Sequence, residues 1–245
     1  MRFLIPIMLL ILVSCKKSED RSCFKFVGDS ATKEIALESF DKLFMGPHLK
    51  YVLVQDTIEK VILHGGENLL NFIETRIDEE GRLNINNNNE CNFLRDYDKM
   101  VTVEIHVKKI TNIMFEGSER VECQNQLITD YLTLTITDGT GEFKLNVDAI
   151  SLHRIVTHGW GNFTLYGETN YLNMLVRSNG WANSYNMLVH DSLHVINKSS
   201  ETLKINPGGA DLKAQIHGEG SIWYINTPTS IEYNKYGGGE LVDKN

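Results

Sequence analysis

Two histidines have a spacing that could serve metal chemistry. His190 and His194 stand four residues apart, and on a helix they would share one face and could hold one ion. The residues around them alternate as in a strand, where four residues span about 13 Å, too far for one ion. His158 and His217 occupy equivalent turns about 14 Å apart and are expected as separate surface residues. The sequence therefore predicts no metal site and no cofactor.

The acidic residues do not form a pattern that predicts catalysis. Asp138 and Glu142 flank one glycine-rich turn, where an isolated carboxylate pair is usually solvated surface. A glycan-cleaving enzyme on a β-helix would need clustered carboxylates, or Lys or Arg together with acids, on one face of neighbouring units. The column that includes Lys144, Thr164 and Lys204 contains no such cluster. We therefore predict a non-enzyme, with a polysaccharide lyase or hydrolase as the alternative.

The three tryptophans are the candidates for ligand contact. Trp160 and Trp181 follow equivalent turns of neighbouring units, so we expect them at the same corner. Trp223 lies between Ile222 and Tyr224, and strand alternation predicts that its ring points outward. Exposed aromatic rings can stack on sugars or join a protein interface. The alternative role for all three is simply to cover turns and edges.

The amino terminus carries an export signal. An apolar run over residues 3–13 follows Arg2, and it is too short to span a bilayer, which takes about 20 residues. The run ends at Cys15 in the sequence Leu-Val-Ser-Cys, which resembles the lipobox of bacterial lipoproteins. The resemblance implies loss of residues 1–14 as a signal peptide, lipidation of Cys15 and attachment to the cell envelope, with the outer membrane expected. An ordinary secretory signal is the alternative.

The remaining cysteines and charges limit the partners. Residues 15–34 are predicted as a lipidated N-terminus and flexible tether. Cys23, Cys91 and Cys123 can form at most one disulfide within the chain and leave at least one free thiol, and the sequence does not choose the pair. The chain has 24 Lys and Arg against 32 Asp and Glu and no basic block. Nucleic acid is therefore excluded as an expected partner, because its binding needs clustered cations.

The second half of the chain repeats with a period of 19 or 20 residues. The repeated turns stand at Asp138, His158, Ser178, Lys198, His217 and Tyr236. Positions five and seven residues after each turn are predicted to point inside, and each forms a column of equivalent residues along the solenoid. The first column includes Phe143, Phe163, Asn183 and Leu203, and the second includes Leu145, Leu165, Tyr185 and Ile205. A third interior column holds Leu152, Leu172, Leu193, Leu212 and Ile231. The two-residue step is strand periodicity, and this period suits one coil of a solenoid. We predict an all-β fold, a β-solenoid or parallel β-helix with right-handed coils expected.

Asparagine and glycine have places in this repeat. The 19 glycines concentrate at the turns, where tight corners favour positive φ. Of the 22 asparagines, Asn146, Asn186 and Asn206 share one column and Asn226 follows one position later. Stacked asparagine side chains can form a hydrogen-bonded ladder along the solenoid, and separately solvated turn residues are the alternative.

The first half of the chain predicts less regular β structure. Strands are expected over residues 51–54, 61–63, 83–85 and 101–107, with one helical turn over residues 67–72. With the lipobox and the repeated turns, the segments FDKL at 40–43, VIL at 61–63, ENLLNFIET at 67–75, GRLNI at 81–85 and VTVEIHV at 101–107 resemble the head GIN domain family of adhesin-like proteins.

The resemblance implies one β-helical domain over residues 35–243, with an irregular part at 35–115 and regular coils at 116–243. It implies a lipid-anchored, non-catalytic protein that serves adhesion or binds glycan or an envelope protein. Besides the glycan-cleaving enzyme, a structural envelope protein that self-associates through its solenoid ends is an alternative, because solenoid ends present unpaired strand edges.

Overall fold

The structure is a computed structural model that describes residues 26–92, 99–156 and 159–245. The predicted signal peptide, Cys15, Cys23 and His158 lie outside the described residues. The strands are β1 Ser30–Ala36, β2 Lys42–Met45, β3 Lys50–Gln55, β4 Lys60–Gly66, β5 Ile73–Ile77, β6 Arg82–Asn87, β7 Thr102–Val107, β8 Asn112–Phe115, β9 Arg120–Cys123, β10 Leu127–Ile136, β11 Glu142–Val156, β12 Asn162–Ser178, β13 Ala182–Ser199, β14 Leu203–Ile205, β15 Asp211–Ile216, β16 Ile222–Tyr224, β17 Ser230–Lys235 and β18 Leu241–Asp243. A single helical turn, α1, covers Glu67–Leu70.

The strands form one β-solenoid, with about 6 turns and about 20 residues in each coil. The pairings follow two series of strands, which we call the front sheet and the back sheet. The front sheet runs β1, β4, β7, β3, β9, the first halves of β11 to β13, then β14, β16 and β18. The back sheet runs β5, β6, β2, β8, the second halves of β10 to β13, then β15 and β17. The predicted all-β solenoid fold is confirmed.

A stack of aromatic side chains runs through the interior of four successive coils. Phe115, Phe143 and Phe163 are fully buried, and their ring centroids lie 6.0 and 5.8 Å apart in sequence. The Tyr51 ring meets Phe115 edge-on at 5.9 Å, and its hydroxyl donates to the Gly46 carbonyl at 2.9 Å. Equivalent residues on parallel strands lie about 4.8 Å apart, so each coil buries its apolar face only against its neighbours.

The interior columns are confirmed except in β13, where the register slips. Phe163 pairs with Ala182, not Asn183, and extra residues then enter β13 beyond Thr164 and beyond Thr169. Ala182 and Ser184 therefore point inward and are buried, whereas Asn183 and Tyr185, which the repeat predicts inside, stand on the outer face. A strict count of twenty misses such bulges, because strand parity reverses with every single-residue shift.

The last interior column also ends differently from the prediction. Ile231 is in register with Leu212 as predicted, but 48% of its surface is exposed. Within the described residues no strand pairs with β17 on its other side, so nothing there covers Ile231.

Glycines stand at the repeated turns mainly because neighbouring backbones approach closely. Of Gly139, Gly159 and Gly218, only Gly159 has a positive φ, at 84°, among the described residues. A Cβ on Gly159 would collide with the Gly139 carbonyl of the coil below, and one on Gly218 with the Ser199 carbonyl. The predicted reason, positive φ, is therefore the less common one at these turns.

The asparagine ladder exists for one part of its predicted length. Asn226 donates from Nδ2 to Oδ1 of Asn206 at 2.9 Å, and Asn206 donates to the Tyr185 carbonyl at 2.9 Å. Asn146 stands in register with Tyr166 and not with another asparagine. The pairing of Ser184 with Ile205 brings Tyr185, and not Asn186, beside Asn206.

The solenoid begins earlier than the repeat predicts. The β2 and β3 strands form a coil that pairs in parallel with β8 and β9, although about seventy residues separate the equivalent positions. On the other side of this coil, β6 and β7 also pair with it in parallel. The coil formed by β2 and β3 thus lies between the β6–β7 coil and the β8–β9 coil, although it precedes both in the sequence. Antiparallel β1, β4 and β5 then cover that end, and β1 begins at Ser30, inside the predicted tether.

Truncating an interior aromatic should cost far more stability than truncating its outward neighbour. We expect Phe143→Ala to lower the free energy of unfolding by about 3–5 kcal/mol, because the coils cannot close around the lost ring. Lys144→Ala removes only an exposed ion pair with Glu122 and should cost less than about 1 kcal/mol. Urea unfolding followed by tryptophan fluorescence measures both, and similar losses would contradict the assigned interior.

Candidate functional site

The structure does not bring the rings of Trp160 and Trp181 together. Trp181 lies beside Asn162, whose Oδ1 accepts its backbone N–H at 3.3 Å, because Phe163 pairs with Ala182. Trp160 is 59% exposed at the preceding turn, and its backbone N–H donates to the Gly139 carbonyl at 2.8 Å. Among the described residues no ring contact joins the two side chains.

Trp223 points outward from the front sheet, as the alternation predicts, between buried Ile222 and Tyr224. The Lys244 ammonium lies 4.4 Å from the centroid of its ring, and the Lys204 ammonium lies 5.9 Å away. Both cations lie where they can interact with the π system of the indole, so part of the Trp223 ring is engaged within the molecule.

A surface cavity of about 180 Å³ lies on the back sheet, and we call it the back-sheet groove. Its lining residues come from three successive coils: His153, Arg154, Asn173, Met174, Leu175, His194 and Ile196. His153, Asn173 and His194 are in register across β11, β12 and β13, so their outward side chains form one row along the solenoid. The outward side chains of Leu175 and Ile196 form the apolar part of the lining.

The polar groups of the groove are partly engaged with one another. Asn173 Nδ2 lies 3.4 Å from His153 Nε2, and the His153 ring packs against the Tyr131 ring at 5.2 Å. The buried His194 Nε2 has no hydrogen-bond partner among the described residues. Burial, followed by the positive charge of Lys213, lowers the pKa of His194. Its imidazole is therefore neutral at neutral pH and offers one donor and one acceptor nitrogen.

Two exposed tyrosines stand beside the groove on the same outer face. Tyr131 and Tyr171 are 46% and 45% exposed, and Ser151 lies in register between them. Two coils separate the tyrosines, a distance of about 10 Å along the solenoid axis. Their rings can stack on the faces of a ligand that runs along this axis, while the His–Asn row supplies hydrogen bonds.

The sequence contains the signal for this row, although our sequence reasoning did not use it. His153, Asn173 and His194 each follow the predicted interior leucines Leu152, Leu172 and Leu193 by one residue. Strand alternation therefore places all three on the outer face. His190, which the spacing rule paired with His194, instead binds Glu168 on the neighbouring coil, with Nε2 at 2.9 Å from Oε2.

One histidine has a carboxylate at each of its two ring nitrogens. His106 Nδ1 lies 2.8 Å from Asp56 Oδ2, and His106 Nε2 lies 2.7 Å from Glu104 Oε1. The hydrogen bond from His106 lowers the pKa of Asp56. His106, in β7, thus links this strand to Asp56, the residue that follows β3. Because both of its ring nitrogens have carboxylate partners, neither is open to a substrate. Within the described ranges no group of three or more His, Cys, Asp or Glu side chains could hold a metal ion.

The cysteines divide between one disulfide and one thiol. Cys91 is disulfide-bonded and Cys123 is free. The Cys123 sulfur is half-buried and accepts the Asn146 backbone N–H at 3.1 Å, and burial raises the pKa of the thiol.

The chain belongs to the head GIN domain family, since the family model described as "Putative auto-transporter adhesin, head GIN domain" matches residues 39–228. This finding confirms the resemblance read from the sequence. A search of curated proteins gave no match.

Solved structures share the fold at low sequence identity. A "putative adhesin" from Bacteroides fragilis is 20% identical with a TM-score of 0.79, over 88% of this chain and 97% of that one. A "putative adhesin" from Parabacteroides distasonis is 15% identical with a TM-score of 0.65, over 88% and 97%. A "Putative lipid binding protein" from the same organism is 14% identical with a TM-score of 0.65, over 89% and 98%. At these identities the likeness concerns the fold.

None of the helical structure in the described residues is long and apolar enough to cross a membrane. The family is one of adhesin-like proteins, which suggests the cell surface or envelope as the location.

Alkylation without reductant should distinguish the two described cysteines. We expect iodoacetamide to modify Cys123 slowly at pH 7 and faster at higher pH, because burial disfavours the reactive thiolate. Cys91 should react only after reduction, and peptide mass spectrometry reads both positions. A Cys91–Cys123 disulfide in the peptide map would contradict the assignment.

Proposed function

We propose that this protein is a lipid-anchored envelope protein whose solenoid binds glycan without cleaving it. The row formed by His153, Asn173 and His194, flanked by exposed Tyr131 and Tyr171, is the observation that carries the binding role. Membership in an adhesin-like family supports a binding role at the cell surface.

The anchor is supported by the sequence of the amino terminus. The short apolar run stops at a small residue followed by Cys15, and a polar segment rich in lysine and acids comes next. Acyl chains attached together give stable membrane anchoring, whereas a single chain is marginal. The outer membrane is the proposed location.

The chemistry of the back-sheet groove fits binding better than hydrolysis. Glycan hydrolysis by most glycosidases uses two carboxyl groups on either side of the scissile bond. The groove is lined by imidazole, amide, guanidinium-bearing and apolar residues, and no carboxylate belongs to its lining. On the front sheet, Glu142 is engaged by Arg120 at 2.8 Å and by the Thr164 hydroxyl at 2.7 Å. The tyrosines and the polar row instead suit a sugar, which presents an apolar face and hydroxyl edges.

Loss of the lipidation site should release the protein from membranes. We expect Cys15→Ser to move the protein from the membrane fraction to the soluble fraction, because the variant lacks the acceptor thiol. Cys123→Ser provides the matched control and should remain in the membrane fraction. Membrane retention of Cys15→Ser after a high-salt wash would contradict the anchor.

The tyrosines of the back sheet should contribute more to glycan binding than the predicted tryptophans. With the soluble form lacking residues 1–15 on a glycan array, we expect Tyr131→Ala/Tyr171→Ala to weaken binding about tenfold, since each ring loses a stacking contact. Trp160→Ala/Trp181→Ala is the matched double variant on the other surface and should bind like the parent.

The two double variants separate the possible binding surfaces. A loss confined to the tryptophan variant would assign the glycan to the turn corner instead. Parent-like binding by both variants, or no binding to any glycan on the array, would remove the proposed glycan role and leave envelope proteins as the partner to test.

A further inference from the structure

Arg154 is a fully buried cation inside the solenoid. Arg154 has no solvent-exposed surface, and its guanidinium carbon lies 4.1 Å from the centroid of the Phe163 ring. Nη1 donates to the Ser184 hydroxyl at 3.0 Å. Arg154 therefore ends the interior stack of Phe115, Phe143 and Phe163 with a charge.

The described residues do not supply a negative charge to balance it. No described Asp or Glu forms an ion pair with Arg154, and desolvation is the cause that lowers its pKa well below the usual value. A guanidinium nevertheless stays protonated in proteins, so it cannot escape burial by losing its proton. Burial of an unpaired charge is strongly unfavourable, and such charges are normally paired.

The unused donors of Arg154 form one edge of the guanidinium. Among the described residues nothing accepts a hydrogen bond from Nε or Nη2. The N–H bonds of these two atoms point in the same direction, and this side-on fork matches the two oxygens of a carboxylate or one small anion. The other parts are already engaged, Nη1 by Ser184 and one ring face by Phe163.

The register slip in β13 makes room at this place. Ala182 is the neighbour of Phe163 in the interior column, and Ser184 stands in register with Ile205 of the next coil. Both positions hold small side chains where the other coils have large ones, so the guanidinium occupies space that aromatic or aliphatic side chains fill elsewhere.

We propose that the Nε–Nη2 edge of Arg154 is a binding site for a small monovalent anion, a halide or a small carboxylate, inside the solenoid. The anion neutralises the buried guanidinium and completes its hydrogen bonds. Arg154 also belongs to the lining of the back-sheet groove, but the glycan proposal rests on the outward row of His153, Asn173 and His194 and on the exposed tyrosines. Failure of the anion site therefore leaves that proposal intact.

Thermal unfolding in different salts tests the site. The protein, purified from membranes in mild detergent, is melted in increasing sodium bromide or sodium acetate, with ionic strength held constant by sodium gluconate. A ligand that binds only the folded state raises Tm by linkage, by about 3–6 °C when its concentration is ten times its dissociation constant. The steeper of the two responses identifies halide or carboxylate as the preferred anion.

Two variants separate this effect from general salt effects. Arg154→Met keeps a flexible unbranched side chain but lacks the guanidinium and its charge, and its Tm should not respond to the anion beyond the gluconate baseline. Ser184→Ala removes only the partner of Nη1 and should keep the response of the parent. Equal responses by the parent and Arg154→Met would overturn the site.

Diffraction gives a second readout that does not require Arg154→Met to fold. Crystals of the parent and of Ser184→Ala grown in bromide should show an anomalous peak at hydrogen-bond distance from Nε and Nη2. Solvent or main-chain oxygen on that edge, without a bromide peak and without an acetate-dependent rise in Tm, would overturn the proposal.

Discussion

The parallel pairing of each coil with the next is the interaction on which the rest of the structure depends. A coil of about twenty residues has an apolar face too small to bury alone, and the ladder brings equivalent side chains within about 4.8 Å of one another. The pairing of successive coils therefore positions three features together: the phenylalanine stack, the close glycine turns, and the outer row of His153, Asn173 and His194. Because side chains alternate along a strand, a register shift of one residue exchanges the interior and exterior positions of that strand.

The slip in β13 shows how such a change is tolerated. It replaces two large interior positions by Ala182 and Ser184, and the long side chain of Arg154 reaches from the back sheet into the space. The same coil presents Asn183 and Tyr185 outside, where polar groups meet solvent. One local irregularity thus links the packing of the interior, a buried charge and the composition of the front surface.

Sequence periodicity predicted the coils well where the spacing was constant. Phe143, Phe163, Leu145 and Leu165 are interior as the repeat predicts, since strand alternation and the period act together on them. It could not predict that β2 and β3 pair with β8 and β9, because the intervening residues interrupt the period. The repeat and strand alternation together indicate the outer row of His153, Asn173 and His194. The groove beside the row depends on how side chains of three coils pack, which the repeat does not indicate.

By itself the sequence determined the fold class and the family, because both depend on the order of side chains along one strand and on repeated turns. It also contains the short apolar run before Cys15 on which the proposed lipid anchor rests. Only the tertiary structure decided which residues meet between coils: Tyr131 with His153, Asn206 with Asn226, and Arg154 with Phe163 and Ser184. These contacts depend on register, which a bulge of one residue changes without altering the composition or the period of the chain as a whole.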